Sequence, residues 1–225
     1  MRMKIPENLT QHAYRLIRDG ILQGKLSNRQ RLTEDYFAQE FQISKSPIRE
    51  ALNRLEAEGL IKIVPRRGAF VRDFSIQDIE EIYEMREILE AAVIRGLKVD
   101  AKLADQLRKA REKAQECIKT EDKLGYISAD ASFHTILARA HSNSRLRNVL
   151  EGMHNQLVIL RHRTFELSSR DSVVQHGRIL TALAHGENET AAELMVEHIR
   201  FVRDKLIESF RQRNGENSQQ GGSAA

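Results

Sequence analysis

Apolar residues recur at helical spacing along most of this chain, and one short stretch departs from it. Within residues 7–24, Leu9, Ala13, Leu16, Ile17 and Ile21 predict a helix, with Gly24 as its stop. A polar connection from Leu26 to Leu32 follows. Thr33 then suits the N-cap of a short helix through Tyr36, Phe37 and Phe41. Gln42, Ile43 and Ser44 suffice only for a turn. Ser44 or Ser46 can cap the next helix, and Pro47 lies in its first turn, where a missing N–H costs nothing. That helix carries Ile48, Ala51, Leu52 and Leu55 and stops at Gly59. Ile61–Val64 and Ala69–Arg72 read instead as two short strands joined by the turn Pro65-Arg66-Arg67-Gly68.

From Ser75 onward the pattern is helical throughout. Ser75-Ile76-Gln77-Asp78 fits a capping box with Asp in the third position, and Ile79, Ile82, Arg86, Leu89, Val93 and Leu97 continue the helix. Further helices are expected over 101–119, 122–140, 144–166, 170–185 and 188–212. Asn143 and Asn188 are candidate N-caps, and Gly186 is a candidate stop. The polar, Gly-rich residues 214–225 are expected to be disordered. The fold class is therefore mainly α. A winged helix-turn-helix is expected over 1–74, and an all-helical bundle of about six helices over 75–213. The joint around Asp73–Ser75 is too short for a flexible tether.

Composition narrows the classes. Of 225 residues, 40% are hydrophobic, which is enough for packed cores. A single Cys excludes an internal disulfide framework and fits a reducing compartment. No apolar run approaches the roughly 20 residues of a membrane helix, and MRMKIPENLT has no signal-peptide core, so a cytoplasmic location without membrane contact is expected. The net charge of +4 is uninformative until it is divided. Residues 1–75 hold 14 Lys and Arg against 9 Asp and Glu, whereas the remainder holds 22 against 23. The basic excess belongs to the first third, as expected if only that part meets a polyanion. Histidine is distributed the opposite way, with seven of eight between His134 and His198.

Two helices with a tight turn, followed by a β-hairpin, make a winged helix-turn-helix, whose second helix enters the DNA major groove N-terminus first. This points Lys45, Ser46 and Arg49 at base edges and phosphates, with Arg49 suited to guanine O6 and N7. Arg66 and Arg67 beside Gly68 can reach phosphate or the minor groove. Arg54 and Lys62 read as ordinary solvated cations. The stretches Leu32-Thr33-Glu34, Phe41 through Leu52, Arg54-Leu55, Glu58-Gly59-Leu60 and Arg67-Gly68-Ala69-Phe70-Val71 resemble the DNA-binding domain of the GntR family of bacterial transcription regulators. The family's usual S-R-T-P-V-R-E-A-L appears here with Lys45 for Arg and Ser46 for Thr. Lysine lacks the bidentate fork, so phosphate is the contact expected of Lys45. Asn28-Arg29 stand where the family often has Pro-Gly.

Asp130 and His134 are four apart on one helical face, beside Phe133 and Leu137. His176 lies among Val173, Ile179, Leu180 and Leu183, and His198 among Leu194, Phe201 and Val202. Polar groups on apolar stripes can converge inside a bundle, and one Asp with three neutral His suits zinc, nickel or manganese. In an octahedral arrangement two positions stay open for water or a ligand. Taken singly, each His also fits a hydrogen-bonded core residue. His141 and His185 suit helix C-termini, His162 between Arg161 and Arg163 suits a solvated face, and His154 is a secondary pocket candidate. Arg86 lies on the apolar stripe Ile79, Ile82, Leu89 and Val93. Its partner is either a structural carboxylate, Glu90 or Glu87, or the carboxylate of a bound effector. Cys117 reads as a passive thiol on a polar helix.

Tyr83-Glu84-Met85-Arg86 with Leu89-Glu90, Asp130-Ala131-Ser132-Phe133-His134, and His176 through Leu183 to Met195 and His198 resemble the FCD effector domain, of the VanR-like subgroup in the FadR branch. That resemblance implies a divalent metal on Asp130, His134, His176 and His198. It also implies a homodimer on double-stranded operator DNA and a repressor released by a small carboxylate effector. A direct metal sensor and a metal-dependent hydrolase fused to a DNA-binding module are the alternatives. No second acid/base pair, nucleophile elbow or phosphate-binding loop supports an enzyme.

Overall fold

The computed structural model describes residues 8–27 and 29–220, with side chains omitted at 154–155 and 213–220. The chain divides into two compact units. One runs up to Asp73 and takes in Asn155–Ile159, and the other comprises Phe74–His154 and the chain from Leu160.

The first unit is a winged helix-turn-helix. Helix α1 (Leu9–Leu22) and helix α2 (Glu34–Phe41) both pack on α3 (Lys45–Ala57). Their shared core holds Ala13, Ile17, Ile21, Phe37, Ile48, Ala51 and Leu55. Asn8 caps α1, and the Thr33 hydroxyl caps α2 by accepting from the Tyr36 N–H. Ser44 occupies the N-cap position of α3 but makes no side-chain capping bond. Strands β1 (Arg31–Leu32), β2 (Ile61–Val64) and β3 (Gly68–Val71) form an antiparallel sheet in the order β1-β3-β2. In its register, Val64 faces Gly68 and Arg31 faces Phe70. The strand β1 was not expected. Two residues are too few to display a period-two pattern, and β1 exists only because β3 offers it a partner. Arg66 and Gly68 take left-handed backbone at φ 63 and 99, which closes the wing turn at its Arg-rich tip.

The second unit is all helical. Helix α4 (Ile76–Arg95) begins with the full capping box: the Ser75 hydroxyl accepts from the Asp78 N–H, and the Asp78 carboxylate accepts from the Ser75 N–H at 2.9 Å. It packs on α8 (Asn188–Gln220), while α5 (Ala101–Lys119) packs on α6 (Lys123–Ala140). Asp100, Asp122 and Asn143 are N-caps. Tyr83, Phe133, Leu107, Leu160, Ile179 and Ile199 lie in the core.

Three expectations change here. The helices expected at 144–166 and 170–185 are one helix, α7 (Ser144–Ala184), so the described residues of this unit hold five helices and not six. The intervening Leu167-Ser168-Ser169 contains no Gly or Pro. The Ser168 hydroxyl donates to the Thr164 carbonyl at 3.1 Å within the helix, so nothing breaks it. Asn188 is not an N-cap. It is already helical, and its amide donates to the carbonyls of Ile94 at 3.1 Å and Leu97 at 2.8 Å, closing the end of α4. Helix α8 runs to Gln220, into the segment expected to be disordered, and 221–225 lie outside the described residues.

Candidate functional site

On the first unit, Lys45, Ser46 and Arg49 occupy the exposed first turn and a half of α3, as the motif requires. Neither cation is idle. The Arg49 guanidinium donates through Nε to Glu34 Oε1 at 2.9 Å and through Nη2 to Glu34 Oε2 at 2.8 Å. Lys45 pairs with Asp35. The first-turn acids of α2 therefore hold the cations of α3. The Glu34 hydrogen bond keeps its carboxyl below the ordinary range and raises the guanidinium further. Only the Nε/Nη2 edge of Arg49 is taken, so its Nη1/Nη2 edge can still address a base. Arg66 and Arg67 are exposed at the wing, and an added Cβ at Gly68 would stand 3.4 Å from Arg31 Nε. Arg31 thus joins the wing, a residue that the unrecognised β1 had hidden.

On the second unit, helices α6, α7 and α8 bring His134, His176 and His198 together, each offering a ring nitrogen within 4.8 Å of the others. Glu90 and Gln175 set the tautomers. The His134 Nδ1–H donates to Glu90 Oε2 at 2.5 Å, because an ionised carboxylate only accepts. The His198 Nδ1–H likewise donates to Gln175 Oε1 at 2.8 Å. Both Nε2 lone pairs are left for the cluster, as when an outer partner orients a metal ligand. His134 Nε2 is buried with no hydrogen-bond partner among the described residues. The Nε2 atoms of His176 and His198 are 3.2 Å apart, within the roughly 2.9–3.4 Å that separates neighbouring nitrogen ligands on one divalent ion. Phe133 stacks on His176 at 4.0 Å between ring centroids and fixes its plane. Burial pushes the His176 imidazolium down to about 3 and His198 well below its usual value, so both are neutral donors near pH 7. The residues fit a divalent metal.

Asp130 stands beside this trio, nearest to His176. Its Oδ2 accepts from Arg161 Nε at 2.5 Å, and its Oδ1 lies 3.9 Å from His176 Nε2. The Tyr126 hydroxyl also donates to Oδ1, at 3.4 Å. Burial alone would raise this carboxyl, but Arg161 and the nearby imidazoles outweigh it and hold it well below the carboxylate range. Arg86 is only 3% exposed, and its Nε donates to Glu90 Oε1 at 2.8 Å. Of the two structural partners considered, Glu90 is therefore the one used. Glu87 instead binds Arg200 and Arg203. Burial would raise Glu90 as well, yet Arg86 and His134 keep it ionised.

Arg161, which the sequence reading names only as a neighbour of His162, is buried at 5% exposure. Its signal was present at spacings of three and four: Arg161, Thr164, Ser168, Ser172 and His176 form one buried polar stripe along α7. Dividing α7 in two had concealed it. Cys117 is buried. His185 donates through Nδ1 to the Thr181 carbonyl at the end of α7, whereas His141 accepts from the Asn143 N–H. The side chain of His154 lies outside the described residues.

Residues 9–71 match the family described as bacterial regulatory proteins, gntR family, and residues 81–201 match the FCD domain. The chain belongs to the GntR family, with an FCD domain. This GntR-family regulator is 28% identical over 197 residues to the transcriptional regulator LutR of Bacillus subtilis, covering 77% of this chain and 89% of that one. It is 25% identical over 214 residues to the transcriptional repressor RspR of Escherichia coli, covering 93% and 92%. Among solved structures, a GntR transcriptional regulator from Rhodococcus sp. RHA1 superposes with a TM-score of 0.79 at 25% identity, covering 88% of this chain and 97% of that one. GntR regulators bind operator DNA. The matched domains and relatives are regulators, so the hydrolase reading is set aside and the GntR-family chain is not an enzyme. No helix among its described residues is long and apolar enough to cross a membrane.

Proposed function

We propose that the protein is an operator-binding repressor whose DNA affinity is set by a small carboxylate effector, anchored at a divalent metal on His134, His176, His198 and Asp130. The observation that carries this reading is the buried, unpartnered Nε2 of His134 aimed into a cluster with two neutral imidazoles. An unmet polar atom in a core is costly and calls for a ligand. Zinc, nickel or manganese suits this donor set and would supply an electrophilic anchor for a carboxylate. Arg86 and Arg161 turn a dry core into one that accepts an anion. The name of RspR as a repressor supports repression here.

DNA recognition rests on Lys45, Ser46 and Arg49 in the major groove and on Arg66, Arg67 and Gly68 at the wing. Glu34 fixes the Arg49 plane so that its outer edge meets guanine. Met85 and Ile88 lie one turn apart and exposed on α4, an apolar face suited to a homodimer. Such a dimer would set two recognition helices roughly 34 Å apart on a pseudo-palindromic site. A regulator of this kind works in the cytoplasm, beside the chromosome. Operator binding titrated first with zinc and then with a panel of metabolic acids tests the reading. Release by an acid only in the presence of metal is the expected result. Release by metal alone makes the protein a direct metal sensor and sinks the effector role.

A further inference from the structure

The buried charges around the histidines can be counted. Arg86 and Glu90 form one ion pair, and Arg161 and Asp130 form another, all four residues being at most 7% exposed. Metal-ligating imidazoles are neutral, so these groups sum to zero before a metal enters and to two positive charges afterwards. Net charge in a buried site is strongly disfavoured unless it is paired. A monocarboxylate would leave one charge uncompensated.

The hydrogen-bond donors agree with the count. Each guanidinium spends its Nε on a carboxylate, and each keeps one buried nitrogen without a partner: Nη2 on Arg86 and Nη1 on Arg161. The two arrive from different helices, α4 and α7, yet share one neighbourhood. Glu90, the partner of Arg86, accepts from His134, and Asp130, the partner of Arg161, lies 3.9 Å from His176 Nε2, so both ion pairs border the same histidine cluster. Two unmet guanidinium nitrogens bordering the metal position offer charge-assisted hydrogen bonds of the kind that a carboxylate accepts.

Resting on the metal-and-carboxylate reading above, we infer that the effector is a dianion, a short dicarboxylate, with one carboxylate on the metal and the other on the free Nη groups of Arg86 and Arg161. The test uses the full chain loaded with zinc, its metal content fixed by elemental analysis. Calorimetric titration compares succinate with butyrate, and malonate with propionate, so that each pair differs in one anionic group at constant length. The dicarboxylate of at least one pair should bind about tenfold tighter or more, the effect of one charge-assisted contact. In Arg161→Gln that ratio should fall towards one, while Arg161→Lys, which keeps the charge, should retain part of it. Equal affinity within both pairs for the wild-type chain overturns the dianion and leaves the metal reading standing, whatever the variants do. A chain that takes up no metal overturns both.

Discussion

Each unit uses arginine–carboxylate pairs, but in opposite environments. In the winged helix-turn-helix, Arg49–Glu34 and Lys45–Asp35 lie in water at the surface. In the FCD domain, Arg86–Glu90 and Arg161–Asp130 are enclosed. An exposed pair is screened and worth little, so a phosphate or a base can take over one partner with small loss. An enclosed pair has lost its water. Its strength depends on every donor being met, and here two guanidinium nitrogens and one imidazole nitrogen are not. On the proposed reading, the same chemistry serves a large, exchangeable polyanion on one unit and a small, enclosed anion on the other.

This contrast can be broken in order of effect. The largest change is expected in the enclosed cluster: His134→Ala combined with His176→Ala should strip bound metal to background by elemental analysis. Equal metal in the variant puts the site elsewhere. Next, Arg161→Leu leaves the Asp130 carboxylate buried and unpaired, and should lower unfolding stability by about 3–5 kcal/mol in urea titration. Adding Asp130→Leu should recover much of the loss, and no recovery would mean that the pair is not the cause. A smaller effect is expected at the surface. Arg49→Ala should weaken specific operator binding about tenfold or more, flatten base preference at one position in footprinting, and leave thermal stability unchanged. Smallest of all, Lys45→Ala should weaken binding to all sequences alike and reduce the slope of log affinity against log salt by about one. A sequence-selective loss would make Lys45 a base reader.

What was legible in the sequence follows the same division. Helix α3, its Pro47 start and the wing turn were readable because local rules fix them, and so were the cations that they carry. His134, His176 and His198 were readable because a metal-type side chain on an apolar stripe stands out. The roles of Glu90 and Arg161 were less visible, since a charged residue in a helix is ordinarily solvated, and only packing reveals that these two are enclosed. Arg161 needed α7 to be taken as one helix, and a Ser-rich stretch reads as a break until its hydroxyls are seen bonding back along the helix. Arg31 needed β1, which owes its existence to a partner strand some forty residues away in the register Arg31 to Phe70.

The aromatic inventory has a practical consequence. The chain has no Trp and 4 Tyr, so its intrinsic ultraviolet emission belongs to tyrosine. Tyr83 lies against Arg86, and Tyr126 donates to Asp130, so half of the emitters touch the groups that a metal or an anion would disturb. Tyr36, largely exposed on α2, belongs to the other unit and supplies a reference signal. The FCD domain thus carries its own optical probe, and a titration with metal or carboxylate can be followed without a label.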